Sequence, residues 1–215
     1  MHRALWIAIC SLGLAISGAA PARAAIVFTN LGPGGSYEGA SGWTVYGTSA
    51  PIKTDRASRF VPHADFTLDS IQAGFTFSAG VNAGDLYLRS DSGGVPGAIL
   101  ESFHLVNLPA FSPSIPVATA LATATSTLHP LLSSNVRYWV TASANDNSFL
   151  GFNTNLTHDT GLASRDNNGP WGFSANVDAG AFQVTGTSIP EPSSAALAMI
   201  IAAATYARRP PTTRP

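Results

Sequence analysis

Between Ala25 and Ser188 no stretch repeats its apolar residues at helical spacing. Short apolar runs instead alternate with clusters of Gly, Pro, Asn, Asp and Ser. A surface helix needs an apolar stripe with a period of about 3.6 residues, whereas a half-buried strand needs a period of two. Ile71 to Phe77 shows the second pattern most fully: Ile71, Ala73, Phe75 and Phe77 alternate with Gln72, Gly74 and Thr76. It is expected to form one strand with a buried aromatic face. In Asp85 to Arg89, Leu86 and Leu88 should face one way and Tyr87 the other. Ile99 to Leu105 sets Ile99, Glu101, Phe103 and Leu105 against Leu100, Ser102 and His104. Val136 to Ala142 should place Tyr138 and Trp139 on opposite faces.

Ile26 to Asn30, Trp43 to Tyr46, Ser58 to Val61, Phe66 to Leu68, Phe149 to Phe152, Trp171 to Phe173 and Ala181 to Thr185 read as further short strands. Val117 to Thr127 alternates Ala with Thr and reads as a thin strand. Leu108 to Pro116, with three prolines, reads as a loop because proline cannot donate to a ladder. Asp91-Ser92-Gly93-Gly94-Val95-Pro96-Gly97 is a dense turn signal. Roughly ten such strands predict an all-β fold, an antiparallel two-sheet β-sandwich of jelly-roll-like form.

The two ends read differently. Met1-His2-Arg3 is a short basic stretch, Leu5 to Ile16 is apolar, and Ala22-Arg23-Ala24 offers an A-x-A cleavage site. Residues 1–24 therefore read as a signal peptide, with Ala22 and Ala24 as its cleavage determinants and signal peptidase as the partner. The single cysteine, Cys10, falls inside that segment. A chain cut after Ala24 carries no disulfide, and its stability must come from packing and sheet hydrogen bonds. The span 25–188 holds six basic and eleven acidic residues, a net of −5. That balance points away from nucleic acid. It also argues against adhesion to anionic lipid or polysaccharide by overall charge, unless divalent cations bridge.

Residues 189–209 run Ile189-Pro190-Glu191-Pro192-Ser193-Ser194, then thirteen apolar-rich residues from Ala195 to Ala207, then Arg208-Arg209; 210–215 are a Pro- and Thr-rich tail. Pro190 and Pro192 keep the motif extended. Ser193 and Ser194 suit a helix N-cap before an Ala- and Leu-rich run. The arginines suit a cytoplasmic membrane face. A helix of this length spans only about 20 Å, short of a hydrocarbon core of about 30 Å. A transient membrane helix fits that length better than a permanent span; a helix packed on the domain is the alternative. The order of Pro190-Glu191-Pro192, apolar run and Arg208-Arg209 resembles the PEP-CTERM sorting signal of Gram-negative bacteria. The resemblance implies an exosortase-type sorting enzyme as partner, loss of the tail, and a destination in the cell envelope or outside the cell.

The body carries a second resemblance. Phe60-Val61-Pro62-His63-Ala64-Asp65-Phe66-Thr67-Leu68 is similar to the start of the choice-of-anchor domains, in particular the one labelled R. So are Leu86 to Gly97 with Leu100-Glu101-Ser102, and Arg137-Tyr138-Trp139-Val140. These are exported bacterial domains found with alternative anchoring signals. The resemblance implies an architecture and a location, and no catalytic set.

The sequence has no Gly-x-Ser-x-Gly elbow, His-Glu-x-x-His helix, P-loop or dinucleotide fingerprint. His63, His104, His129 and His158 are scattered; His104 is expected at the surface and His129 in a loop. Asp146, Asp159 and Asp166 lie in Asp/Asn-rich turns whose oxygens could ligate Ca²⁺, the only cofactor the residues suggest. The competing reading is that Asp and Asn simply favour turns. Trp43, Trp139 and Trp171 could stack on sugar rings or belong to the core; Trp171, after Gly169-Pro170, is the best candidate for exposure. Glu101 is the one glutamate in a predicted strand and has no nameable carboxylate partner for glycoside hydrolysis. Asn155-Leu156-Thr157 matches the N-glycosylation pattern. The leading expectation is a non-enzymatic exported surface or extracellular-matrix protein. A carbohydrate-binding module for exopolysaccharide is the first alternative, and a hydrolase on the same scaffold the second.

Overall fold

The computed structural model describes residues Ala24 to Asn145 and Asn147 to Ile189. Sixteen strands follow one another in the order β1 (Ala24–Thr29), β2 (Tyr37–Glu38), β3 (Gly42–Tyr46), β4 (Thr54–Phe60) and β5 (Phe66–Ala73). Next come β6 (Phe75–Gly80), β7 (Ala83–Ser92), β8 (Val95–Val106), β9 (Val117–Ala118), β10 (Ala122–Thr125) and β11 (Leu131–Leu132). The last are β12 (Tyr138–Ala144), β13 (Ser148–Asn153), β14 (Thr160–Asp166), β15 (Gly172–Asp178) and β16 (Phe182–Ser188). The fold is all-β. Every pairing between these strands is antiparallel.

One sheet has the order β1-β16-β5-β10, with β11 also on β5. The larger sheet runs β6-β13-β3-β4-β12-β7-β8, with β14 on β4 and β15 on β14. The main hydrophobic cluster takes side chains from both. Leu68, Ile71, Phe182 and Val184 come from the first, and Phe60, Leu86, Leu88, Val140, Leu150 and Phe152 from the second. The core therefore lies between the sheets, giving a sandwich-like arrangement in which each large buried side chain contributes about 1.5–3 kcal/mol. The alternation in β7 is as expected: Leu86 and Leu88 are buried and Tyr87 turns away. Gly93 and Gly94, both at positive φ, close the β7–β8 hairpin.

Three expectations are corrected. Ile71 to Phe77 is not one strand. It breaks at Gly74, and β5 joins the first sheet while β6 joins the second. Gly74 makes the crossing because its N–H donates to the carbonyl of Ala181 and its own carbonyl accepts from Asn153, while the Tyr37 ring lies where a Cβ would be, 3.0 Å away. Ile99 does not face the core. A bulge makes Leu88 oppose Glu101 and Arg89 oppose Ile99, so Leu100 is skipped and packs on the core while Ile99 is exposed. Val117 to Thr127 is two short strands, β9 and β10, in different sheets. The expected signal and C-terminal helices, the sorting residues Pro190, Glu191, Pro192, Arg208 and Arg209, and Ala22 lie outside the described residues.

Candidate functional site

The outer face of the larger sheet, turned away from the core, is built from the odd-numbered residues of β4, β7, β12 and β14. Their register forms a grid. Trp139 opposes Arg59 on one side and Arg89 on the other. Thr141 lies between Ala57 and Tyr87, and Arg165 opposes Asp55. Trp139 is fully buried there, with Ala57 and Ala163 beneath the half-buried Trp171 and Phe173. It lies on the face opposite Tyr138, as expected, but it is covered by the loop and strand that follow β14. It is not a sugar platform.

Three guanidinium groups lie over rings: Arg59 over Phe173 at 4.7 Å, Arg165 over Trp171 at 4.7 Å, and Arg89 over Tyr87 at 5.3 Å. With Arg137 this makes four of the domain's six basic residues on one sheet face, in a domain that is acidic overall. The carboxylates below are mostly committed. Asp55, 1% exposed, accepts from Ser143 Oγ and Arg165 Nε, each at 2.7 Å. Asp91 accepts from Trp139 Nε1 at 2.9 Å and from the Gly94 N–H at 3.0 Å, with Arg137 Nη1 3.6 Å away. Burial pushes the Asp91 carboxyl up, but these donors outweigh it and hold it below the usual carboxylate range. Burial, aided by the neighbouring Asp85 carboxylate, pushes the Tyr87 phenol up to about 12. Burial, with the Arg165 charge nearby, lowers Arg89 from its ordinary value.

At one end of this face a cavity of about 380 Å³ is lined by Arg59, Arg137, Phe28, Phe60, Val61, Asp159 and Thr160. Arg59 makes no hydrogen bond or ion pair among the described residues. Its guanidinium is held between the Phe173 ring and Gly161, where an added Cβ would come within 2.6 Å of Nε. Arg137 Nε is buried without a partner. A second cavity of about 430 Å³ is lined by Tyr46, Ala50, Pro51, Ile52, Thr54, Arg56 and Asp166. Burial lowers Arg56 there, against the pull of Asp166 and Asp55.

The sequence-predicted residues distribute as follows. Asp159 precedes β14 and Asp166 ends it, so the strand separates them by roughly 20 Å. They line different cavities, so one ion could not take both as ligands. Asp146 lies outside the described residues. Side-chain oxygens beside them are already used on backbone: Asn155 Oδ1 accepts from the Asp159 N–H, and Asn167 Oδ1 accepts from the N–H of the distant Lys53. Among the described residues no group of three or more His, Cys, Asp or Glu side chains could hold a metal ion. Trp171 is half-buried under Arg165 rather than open. Trp43 is half-buried and donates to the Asp178 carbonyl. Ala24 is the first residue of β1.

His104 is exposed, as expected, and its Nδ1 lies 2.8 Å from Asp85. His63 and His129 lie against the carbonyls of Val27 and Leu68. Glu101 is buried and binds the Ser126 hydroxyl and the N–H groups of Thr127 and Leu128. Asn155 is buried with its amide bonded to the carbonyls of Asp159 and Ala179, so it does not present a glycosylation site. No protein-family model matches this chain, and no curated protein sequence matches it.

Sequence reasoning missed Arg59, Arg137 and Gly161. Charged residues in a strand read as solvated, and nothing local marks Gly161. The one local signal was at the start of β12, where Arg137 sits two residues before Trp139; the placing of Arg59 beside them depends on the strand register.

Proposed function

We propose that this chain is an exported, non-enzymatic protein of jelly-roll type, sorted by an exosortase-type system to the cell envelope or extracellular matrix. The carrying observation is the order of segments: a signal peptide, a strand-built body, then the PEP-CTERM-like tail. The pairing of β1 with β16 is consistent with it, because both flanking segments leave the body from adjacent strands. The jelly-roll reading draws on the strand order. Of the eight strands β1, β4, β5, β7, β8, β10, β12 and β16, the first pairs with the last and the second with the seventh. The third pairs with the sixth and the fourth with the fifth, as in a long hairpin rolled up. The non-enzymatic reading draws on how the polar groups are used: Glu101 braces a loop, and His63 and His129 lie against backbone carbonyls.

Mass spectrometry of the mature protein, with localisation of E191A and of a deletion of 195–215, tests the proposal. New termini at Ala25 and near Pro190 are expected, with only the C-terminal cut lost in both variants. Unchanged processing and localisation would overturn it.

A second reading, binding of exopolysaccharide, is favoured by the concentration of arginines on the outer face, its tryptophans being covered. It shares the exported location.

A further inference from the structure

The cavity at Arg59 and Arg137 has the features of a built anion site. Arg59 is fixed in place by an aromatic face on one side and a glycine on the other, yet its fork of donors is unused among the described residues. Neither neighbour takes a hydrogen bond from it, so the donors are left for something else. The adjacent Arg137 reaches Asp91 only at 3.6 Å, and its Nε is buried without an acceptor. The Arg137 side chain is 38% exposed, so its charge is open to a bound oxyanion.

The remaining lining narrows the ligand. Phe28 and the exposed Val61 give an apolar edge suited to the C–H face of a ring. Asp159 adds an acceptor that a hydroxyl group can satisfy; its Oδ2 already takes the Thr157 hydroxyl at 3.1 Å. Asp91, 3.6 Å from Arg137, and Asp159 in the lining offset much of the charge of the two guanidinium groups, which disfavours a densely charged phosphate or sulfate polymer. A planar group with one charge matches a guanidinium fork. We propose that this cavity binds the carboxylate of a uronic acid residue in an acidic polysaccharide, with Arg59 and Arg137 as donors and Asp159 accepting a ring hydroxyl.

This deepens the exopolysaccharide reading and rests on the exported location only for its biological setting. Binding in vitro is independent of tail processing, so either can fail without the other. It also revises the argument from overall charge, since a net acidic domain can present a local cationic cavity.

The test is calorimetric titration of the full-length chain in a neutral detergent with trigalacturonate, the neutral trisaccharide maltotriose, and a sulfated oligosaccharide of similar length. Binding of trigalacturonate that weakens with added NaCl is expected, with no binding of maltotriose. R59A and R137A should each weaken it roughly tenfold or more, and R59K should also weaken it because the fork is lost. Circular dichroism melting shows which variants fold. If R59A does not, R59K and R137A carry the same test. Equal binding of maltotriose, tighter binding of the sulfated oligosaccharide, absence of trigalacturonate binding, or unchanged affinity in the folded variants would overturn the proposal.

Discussion

Ala25 lies opposite Gly186 in the register of β1 and β16, so the body opens and closes on neighbouring strands. β16 is the inner of the two, lying between β1 and β5 and contributing the fully buried Phe182 and Val184. Removing 189–215 should therefore leave the thermal midpoint unchanged, whereas removing 182–215 should abolish cooperative unfolding. Circular dichroism melting of the two truncations distinguishes them. A cooperative transition in the shorter chain would show that β16 is dispensable.

Glu101 should make stability depend on pH. Burial pushes its carboxyl up, but bonds from Ser126, Thr127 and Leu128 outweigh burial and hold it below the usual carboxylate range. A carboxyl depressed in the folded state contributes stability above its unfolded pKa and loses it as pH falls through the folded value. Stability from this group should be complete above about pH 5 and decline in acid below about pH 4. E101Q should cost about 1–3 kcal/mol at neutral pH and flatten the acid limb. Urea unfolding across pH 3 to 7 measures both effects, and an unaltered acid limb in the variant would contradict this assignment.

Asp55 should be among the most sensitive polar positions. It is buried, and Arg165 and Ser143 both bind it at 2.7 Å. Replacing it with Ala leaves Arg165 without its carboxylate, a change worth about 3–5 kcal/mol in buried pairs and less here, because the Arg165 side chain keeps some exposure. R165A removes the partner but leaves Ser143 on Asp55, and should cost less than D55A. Denaturant unfolding of both variants checks the ranking.

Local pattern revealed the strands but not their partners. The alternation of Leu86, Tyr87 and Leu88 needs only neighbouring residues, so it was legible. The break at Gly74 was not, because the period of two runs unbroken through it. The groups that hold the crossing, Tyr37, Asn153 and Ala181, lie far away in sequence. Ile99 was misassigned because a bulge shifts parity without a local mark. Thr54 to Ala57 was missed as strand because Asp55 and Arg56 look solvated, although Asp55 is buried against β14. The Arg59 cavity joins β1, β4, β12 and β14, so it exists only once the long-range register is set.

Gly180 is where an added methyl group should cost most for the smallest change. Its N–H donates to Ser58 Oγ at 2.7 Å, and its carbonyl accepts from Asn30 Nδ2 at 2.9 Å. These bonds fix the backbone on both sides, so it cannot shift to make room. A Cβ there would lie 2.5 Å from two atoms of the Phe152 ring, which is itself fully buried. Either the ring leaves its site or the two hydrogen bonds break, so G180A should destabilise by about 2–3 kcal/mol through overpacking. Gly172 provides the comparison, because its added Cβ would meet only the Ser164 carbonyl, at 3.8 Å. G172A should fall within about 0.5 kcal/mol of the parent. Urea midpoints of the two variants measure the difference, and equal stability would show that Phe152 has room the packed core does not display.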